Sequence, residues 1–176
     1  VWIRGNFFIP DARVFWIKPS AGFLKAYISK HNIQYLISSG PPHSMHLIAL
    51  KLKNTFPELK WVADFRDPWT NIDFYSKLML TPGADRKHKR LEALVLLKSD
   101  LVLSIGQHMS EEFKTIYLNH GGKTPDKFKV ITNGYDEEDV LVNEKRKDEA
   151  FSLAHIGTLV KDRNPEVLWR VLGKLV

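Results

Sequence analysis

Asp64, Arg66 and Asp67 crowd together directly after the apolar run Trp61-Val62-Ala63, and Pro68-Trp69 follows at once. Two carboxylates and a guanidinium in that position suit a polar ligand, because in an open parallel sheet the ligand crevice lies beyond the carboxyl ends of the strands. Pro68 keeps Asp67 extended and removes a backbone donor, so the charges stay on a turn. An Arg66 ion pair that merely pins the turn is the structural alternative. A second chemical stretch, Ser39-Gly40-Pro41-Pro42-His43-Ser44, ends a β-rich run over 33–38 and opens a helix. A helix start after such a loop offers unpaired N–H groups and a positive dipole end, a seat for an anion. His43 beside it would donate to a phosphate or act as a base, while His46, one turn on, reads as a packed or supporting residue. A capped turn is the plain alternative. The third stretch is Gly157-Thr158-Leu159-Val160-Lys161-Asp162-Arg163, between a strand over 151–156 and a helix that Asn164-Pro165 would open as N-cap and first-turn proline. A strand, a glycine loop with cations and a capped helix make a phosphate-binding turn, although a glycine loop alone is weak evidence.

These loops need a scaffold that brings them together. Strands ending near Ser38, Asp64, Ser104 and Thr132 alternate with helical segments, which predicts one parallel sheet with right-handed crossovers and all four loops on the same edge. Met45, Ile48, Ala49 and Leu52 predict an apolar helix face after the first strand. Met109, Phe113, Ile116 and Tyr117 do so after the third, with Gly121-Gly122 as the stop. A helix over 22–30 carries Phe23, Tyr27 and Ile28, and residues 1–20, aromatic and broken by Pro10 and Pro19, read as a packed segment largely without regular structure. A helix over 87–98 would open on Arg86-Lys87-His88-Lys89-Arg90. Cations there oppose the macrodipole by about 0.3–1 kcal/mol each, a hint of an acidic partner surface, with a solvated basic face as the alternative. Residues 137–150, charged and without alternation, read as a linker between a first unit over 1–136 and a second over 151–176.

The chain has 176 residues, enough for one domain or a domain and the start of another, and both ends read as cut points in a longer protein. It has no cysteine, so neither a disulfide framework nor a thiolate metal site is available. Of its seven histidines only His43 and His46 are closely spaced, without a nearby carboxylate, so no metal site is expected. The net charge of +6 and the pI near 9.4 favour anionic partners: nucleotides, phosphates, an acidic lipid surface or nucleic acid.

Val130-Ile131-Thr132-Asn133-Gly134-Tyr135-Asp136 resembles the strand-end signature that closes the first lobe of GT-B-fold retaining glycosyltransferases, with Thr132 where proline is usual. His155-Ile156-Gly157-Thr158-Leu159 and Arg163 are similar to the first turn of their donor lobe, with Thr158 where arginine is usual. The stretches 37–44 and 63–69 resemble a bacterial subgroup acting on cell-surface polysaccharides, many of which carry histidine near the position of Arg66. The resemblance implies an α/β fold: a Rossmann-like parallel sheet forming part of an acceptor lobe over 1–136, then the first strand and helix of a second Rossmann-like lobe. It implies a central piece of an enzyme, inactive alone, that transfers a sugar from a nucleotide diphosphate sugar to a saccharide or lipid-linked acceptor, without metal or other cofactor. His43, Arg66 and Asp67 are then the catalytic candidates, and Gly157, Thr158 and Arg163 the donor-diphosphate candidates. The setting implied is cytoplasmic, with peripheral contact at an anionic inner membrane face and oligomers through a truncated lobe as options. A sugar-nucleotide epimerase of the same two-lobe design is the nearest rival. A basic nucleic-acid-binding module is the rival from another class, without an aromatic-basic strand or recognition helix to support it.

Overall fold

The computed structural model describes residues 1–136, 150, 152–159, 161 and 164–175. They fall into two compact units, Val1–Gly134 and Tyr135–Val176. The first is an α/β unit around a four-stranded, wholly parallel sheet, in the order β1 (Tyr35–Gly40), β2 (Lys60–Phe65), β3 (Leu101–Ser104) and β4 (Phe128–Val130). Helices α3 (Ser44–Thr55), α4 (Pro82–Lys98) and α5 (Gln107–Asn119) make the crossovers. Because the strand order is sequential and such crossovers are right-handed, every connecting helix lands on the same face of the sheet.

Alternation along the strands follows from that one-sided cover. Trp61, Ala63 and Phe65 of β2 are fully buried under the helices, with Leu52, Val95, Leu96, Val102 and Phe113 around them. The residues between them point the other way, and in β1 that leaves Tyr35 and Ile37 open to solvent. The register Ile37↔Val62 and Asp64↔Leu103 continues this second, thinly covered face across the sheet. Asp100 locks the strand starts: its carboxylate accepts from the Trp61 amide at 2.7 Å and pairs with Lys53 at 2.8 Å.

Residues 1–20 are more ordered than Pro10 and Pro19 suggest. They form α1 (Trp2–Phe7), a 3-10 turn (Val14–Trp16) and the start of α2 (Ile17–His31), which begins earlier than the helix expected over 22–30. Pro19 falls in the first turn of α2, where the missing N–H has no intrahelical acceptor to lose. The basic stretch of α4 also shifts its meaning. The helix begins at Pro82, capped by Thr81, whose hydroxyl accepts from the Ala84 amide, and Asp85 supplies an acid in its first turn. Arg86, Lys87, Lys89 and Arg90 therefore lie beyond the first turn and do not oppose the macrodipole, and His88 is buried. On α3, Met45 is partly exposed and His46 is fully buried instead.

In the second unit, residues 152–156 form no strand, contrary to expectation, and α6 (Glu166–Leu172) starts after Pro165. Asn164 does not cap it; its side-chain oxygen accepts from the Trp169 indole at 2.7 Å. The expected linker lies almost wholly outside the described residues. Among the described residues no helix is long and apolar enough to cross a membrane.

Candidate functional site

The seat expected at the start of α3 is already taken. Asp11 reaches across from the N-terminal segment, and its carboxylate accepts from the Ser44 amide at 2.8 Å and the Ser44 hydroxyl at 2.9 Å. It also accepts from the Arg13 amide at 2.8 Å. An acidic side chain on an orphan first-turn amide is the role an external anion would have played. Asp11→Ala should cost about 1–2 kcal/mol, read as a lower thermal midpoint, and Asp11→Asn should recover most of it.

Directly behind that helix start lies a buried polar relay. The Trp61 indole donates to Ser38 Oγ at 2.8 Å, so the Ser38 proton is free to go to His46 Nδ1, also at 2.8 Å. That leaves the His46 proton on Nε2, which is buried and has no hydrogen-bond partner among the described residues; the same holds for His43 Nδ1. Gly40 sits between these two nitrogens: a Cβ added there would lie 2.6 Å from His46 Nε2 and 3.3 Å from His43 Nδ1. Burial, chiefly, pushes His43 down to about 4 and His46 to about 3, so both rings are neutral at pH 7. Asp11 opposes the shift of His43, while His43 and Arg66 add to that of His46.

His43 also forms the floor of a cavity of about 400 Å³ at the carboxyl edge of the sheet. Its ring stacks on Trp69 with centroids 4.7 Å apart and 2° between planes. Phe8, Phe74, Tyr75, Trp69 and Leu78 give the walls an apolar, aromatic character, while Arg4, Asp11 and Asp67 supply charge. Trp69 is fixed in turn by α4: its indole donates to His88 Nδ1 at 3.1 Å, which places the His88 proton on Nε2, facing the Gly5 carbonyl at 3.5 Å. Burial lowers the His88 pKa, so this neutral tautomer is held. Glu92, one turn on and fully buried, accepts from the Thr70 amide and hydroxyl at 3.3 and 2.5 Å, and burial raises its pKa. Tyr75 donates to Asp85 at 3.0 Å.

The three residues expected to act together are divided. His43 and Asp67 line the cavity, whereas Arg66 lines a separate cleft with Asp64, Asn133 and Gly134 on the thinly covered side of the sheet. The Arg66 guanidinium donates to the Pro41 carbonyl and its amide to the Gly40 carbonyl at 2.9 Å, so it braces the loop that carries His43. Asp64 accepts from the Ser39 hydroxyl at 2.7 Å. In the second unit Gly157 and Thr158 are exposed, and Gly157 has φ +135°, a conformation that suits glycine. Arg163 lies outside the described residues. Among the described residues no cluster of three or more histidines and carboxylates offers a metal site. Asp11 and His88 were not legible as candidate site residues, since each arrives from a distant element with no local pattern to mark it.

Fold and site together define a parallel α/β unit with an aromatic, charged pocket at its strand ends. No family model, curated protein or solved structure matches the chain.

Proposed function

We propose that the first unit is the acceptor-binding lobe of a GT-B-type glycosyltransferase, which moves a sugar from a nucleotide diphosphate sugar to a saccharide or lipid-linked acceptor. One observation carries the reading: a single cavity at the carboxyl edge of a parallel sheet unites His43 and Asp67 with the aromatic walls Phe8, Trp69, Phe74 and Tyr75. Aromatic rings suit the apolar faces of a pyranose or the first carbons of a lipid carrier, and an exposed carboxylate suits sugar hydroxyls. His43, neutral and weakly basic, would position an acceptor hydroxyl rather than take its proton at pH 7. Asp67, exposed in the same cavity, would accept a hydrogen bond from an acceptor hydroxyl, and Arg66 would be a positioning residue for the loop. Gly157, Thr158 and Arg163 are the proposed partners of the donor diphosphate, whose departure N–H groups and cations would assist electrostatically.

The acceptor side is testable without turnover. Calorimetric titration of the chain with an alkyl glycoside should show saturable binding, weakened about tenfold or more in Asp67→Asn, as expected for loss of a charged hydrogen-bond partner. Phe74→Ala should weaken it as well. Absence of binding, or binding indifferent to both changes, would remove the acceptor assignment.

A further inference from the structure

Helix α1 stands at the rim of the cavity, and its seat there is closely fitted. Gly5 makes the approach possible, because a Cβ at that position would lie 2.8 Å from Leu80 Cδ2 and 2.9 Å from the Leu78 carbonyl oxygen. Asn6 clasps the same loop: its side chain donates to the Met79 carbonyl at 3.2 Å and accepts from the Thr81 amide at 2.7 Å. The residue on the other side of Gly5 is Arg4, which this fit delivers to the cavity lining.

Arg4 arrives there unpaired. Among the described residues its guanidinium makes no hydrogen bond or ion pair, and it is the one cation of the lining, since His43 and His88 are neutral at pH 7. The two carboxylates that share the lining differ in availability. Asp11 spends both oxygens on the Ser44 amide and hydroxyl and on the Arg13 amide. Asp67 is exposed and, like Arg4, has no partner among the described residues. An arginine and an aspartate that line one cavity without pairing suit a ligand that sits between them. The planar guanidinium fork matches a carboxylate or phosphate, the carboxylate accepts from hydroxyls, and Trp69, Phe74 and Tyr75 offer rings to the apolar face of a sugar.

We infer that Arg4 is an anion subsite of this cavity, so that its ligand is an acidic sugar: a pyranose carrying a carboxylate or a phosphate monoester, with the acid on Arg4 and a ring hydroxyl on Asp67. The inference rests on the reading of the cavity as a sugar-acceptor site and adds to it the charge of the sugar. With the start of α3 closed by Asp11, Arg4 is the group left in the cavity to meet that charge.

Hexyl glucoside, hexyl glucuronide and hexyl glucosaminide share one ring and one chain and differ in charge, so calorimetric titration of the full chain with each reads the sign the cavity selects. The glucuronide should bind about tenfold more tightly than the neutral glucoside, the scale of a charge-assisted hydrogen bond. The cationic glucosaminide should bind no better than the glucoside, and the glucuronide's advantage should shrink as salt is added. Hexyl glucoside 6-phosphate separates the two acids, the tighter of it and the glucuronide naming the group. Arg4→Gln, at an exposed position, should bring the glucuronide down to the level of the glucoside while circular dichroism stays unchanged. Glucoside bound as tightly as both acids, or glucosaminide bound best, would overturn the inference and leave the sugar-acceptor reading standing. An acid preference that survives in Arg4→Gln would overturn the assignment to Arg4. Failure of every glycoside to bind would instead remove the acceptor reading, and this inference with it.

Discussion

Acidification from pH 7 to pH 4 should destabilise the first unit by about 3 kcal/mol through His43 alone. Its folded pKa of about 4 lies below the ordinary value of 6.5, so the unfolded chain binds the proton first. The stability that neutral His43 contributes is complete above pH 6.5 and is lost as pH falls through 4. His46, at about 3, extends the loss to lower pH, though not independently, because a charge on His43 further opposes one on His46. Glu92 acts in the opposite sense: its raised pKa favours the protonated folded form, a contribution lost as pH rises above the ordinary carboxyl range. Urea midpoints at pH 7, 5 and 4 would reveal the slope. His43→Phe, which keeps a ring on Trp69, should flatten it, and equal midpoints at all three pH values would refute the account.

Gly40→Ala should cost about 1–3 kcal/mol, the range for overpacking, and should disturb the cavity floor at the same time. The new methyl would meet His46 Nε2 at 2.6 Å and Cδ2 at 3.0 Å. His46 cannot swing aside, since its Nδ1 is bonded to Ser38 and its ring packs on Phe65 at 4.3 Å. The only other exit for the strain is His43, whose stack on Trp69 would have to shift. The variant should therefore melt earlier and bind an alkyl glycoside more weakly than wild type. A stable Gly40→Ala protein with unchanged affinity would show that the loop has slack the structure does not suggest.

The sheet was legible in the sequence because each strand is a short apolar run ended by polar loop residues, as at Ser38, Asp64 and Ser104. Those run ends also marked His43 and Asp67, which line one cavity, as candidates. Local patterns misled where a residue's meaning depends on its place in an element. Pro19 reads as a breaker but stands where a helix tolerates it. The run from Arg86 to Arg90 reads as a helix start, although Thr81-Pro82 is the true start and conceals the buried His88 in mid-helix. Asp11 could not be read at all, since its partner Ser44 lies 33 residues away and only the fold brings them together.

That last contact sets a threshold for anything else seeking the start of α3. A tethered carboxylate competes at an effective concentration of at least millimolar order, and Asp11 is further pre-organised by the Arg13 amide. Free phosphate or a diphosphate would have to displace a ligand that never diffuses away. This helix end is thus self-saturated, and an anionic substrate of this protein must find its electrostatic welcome elsewhere.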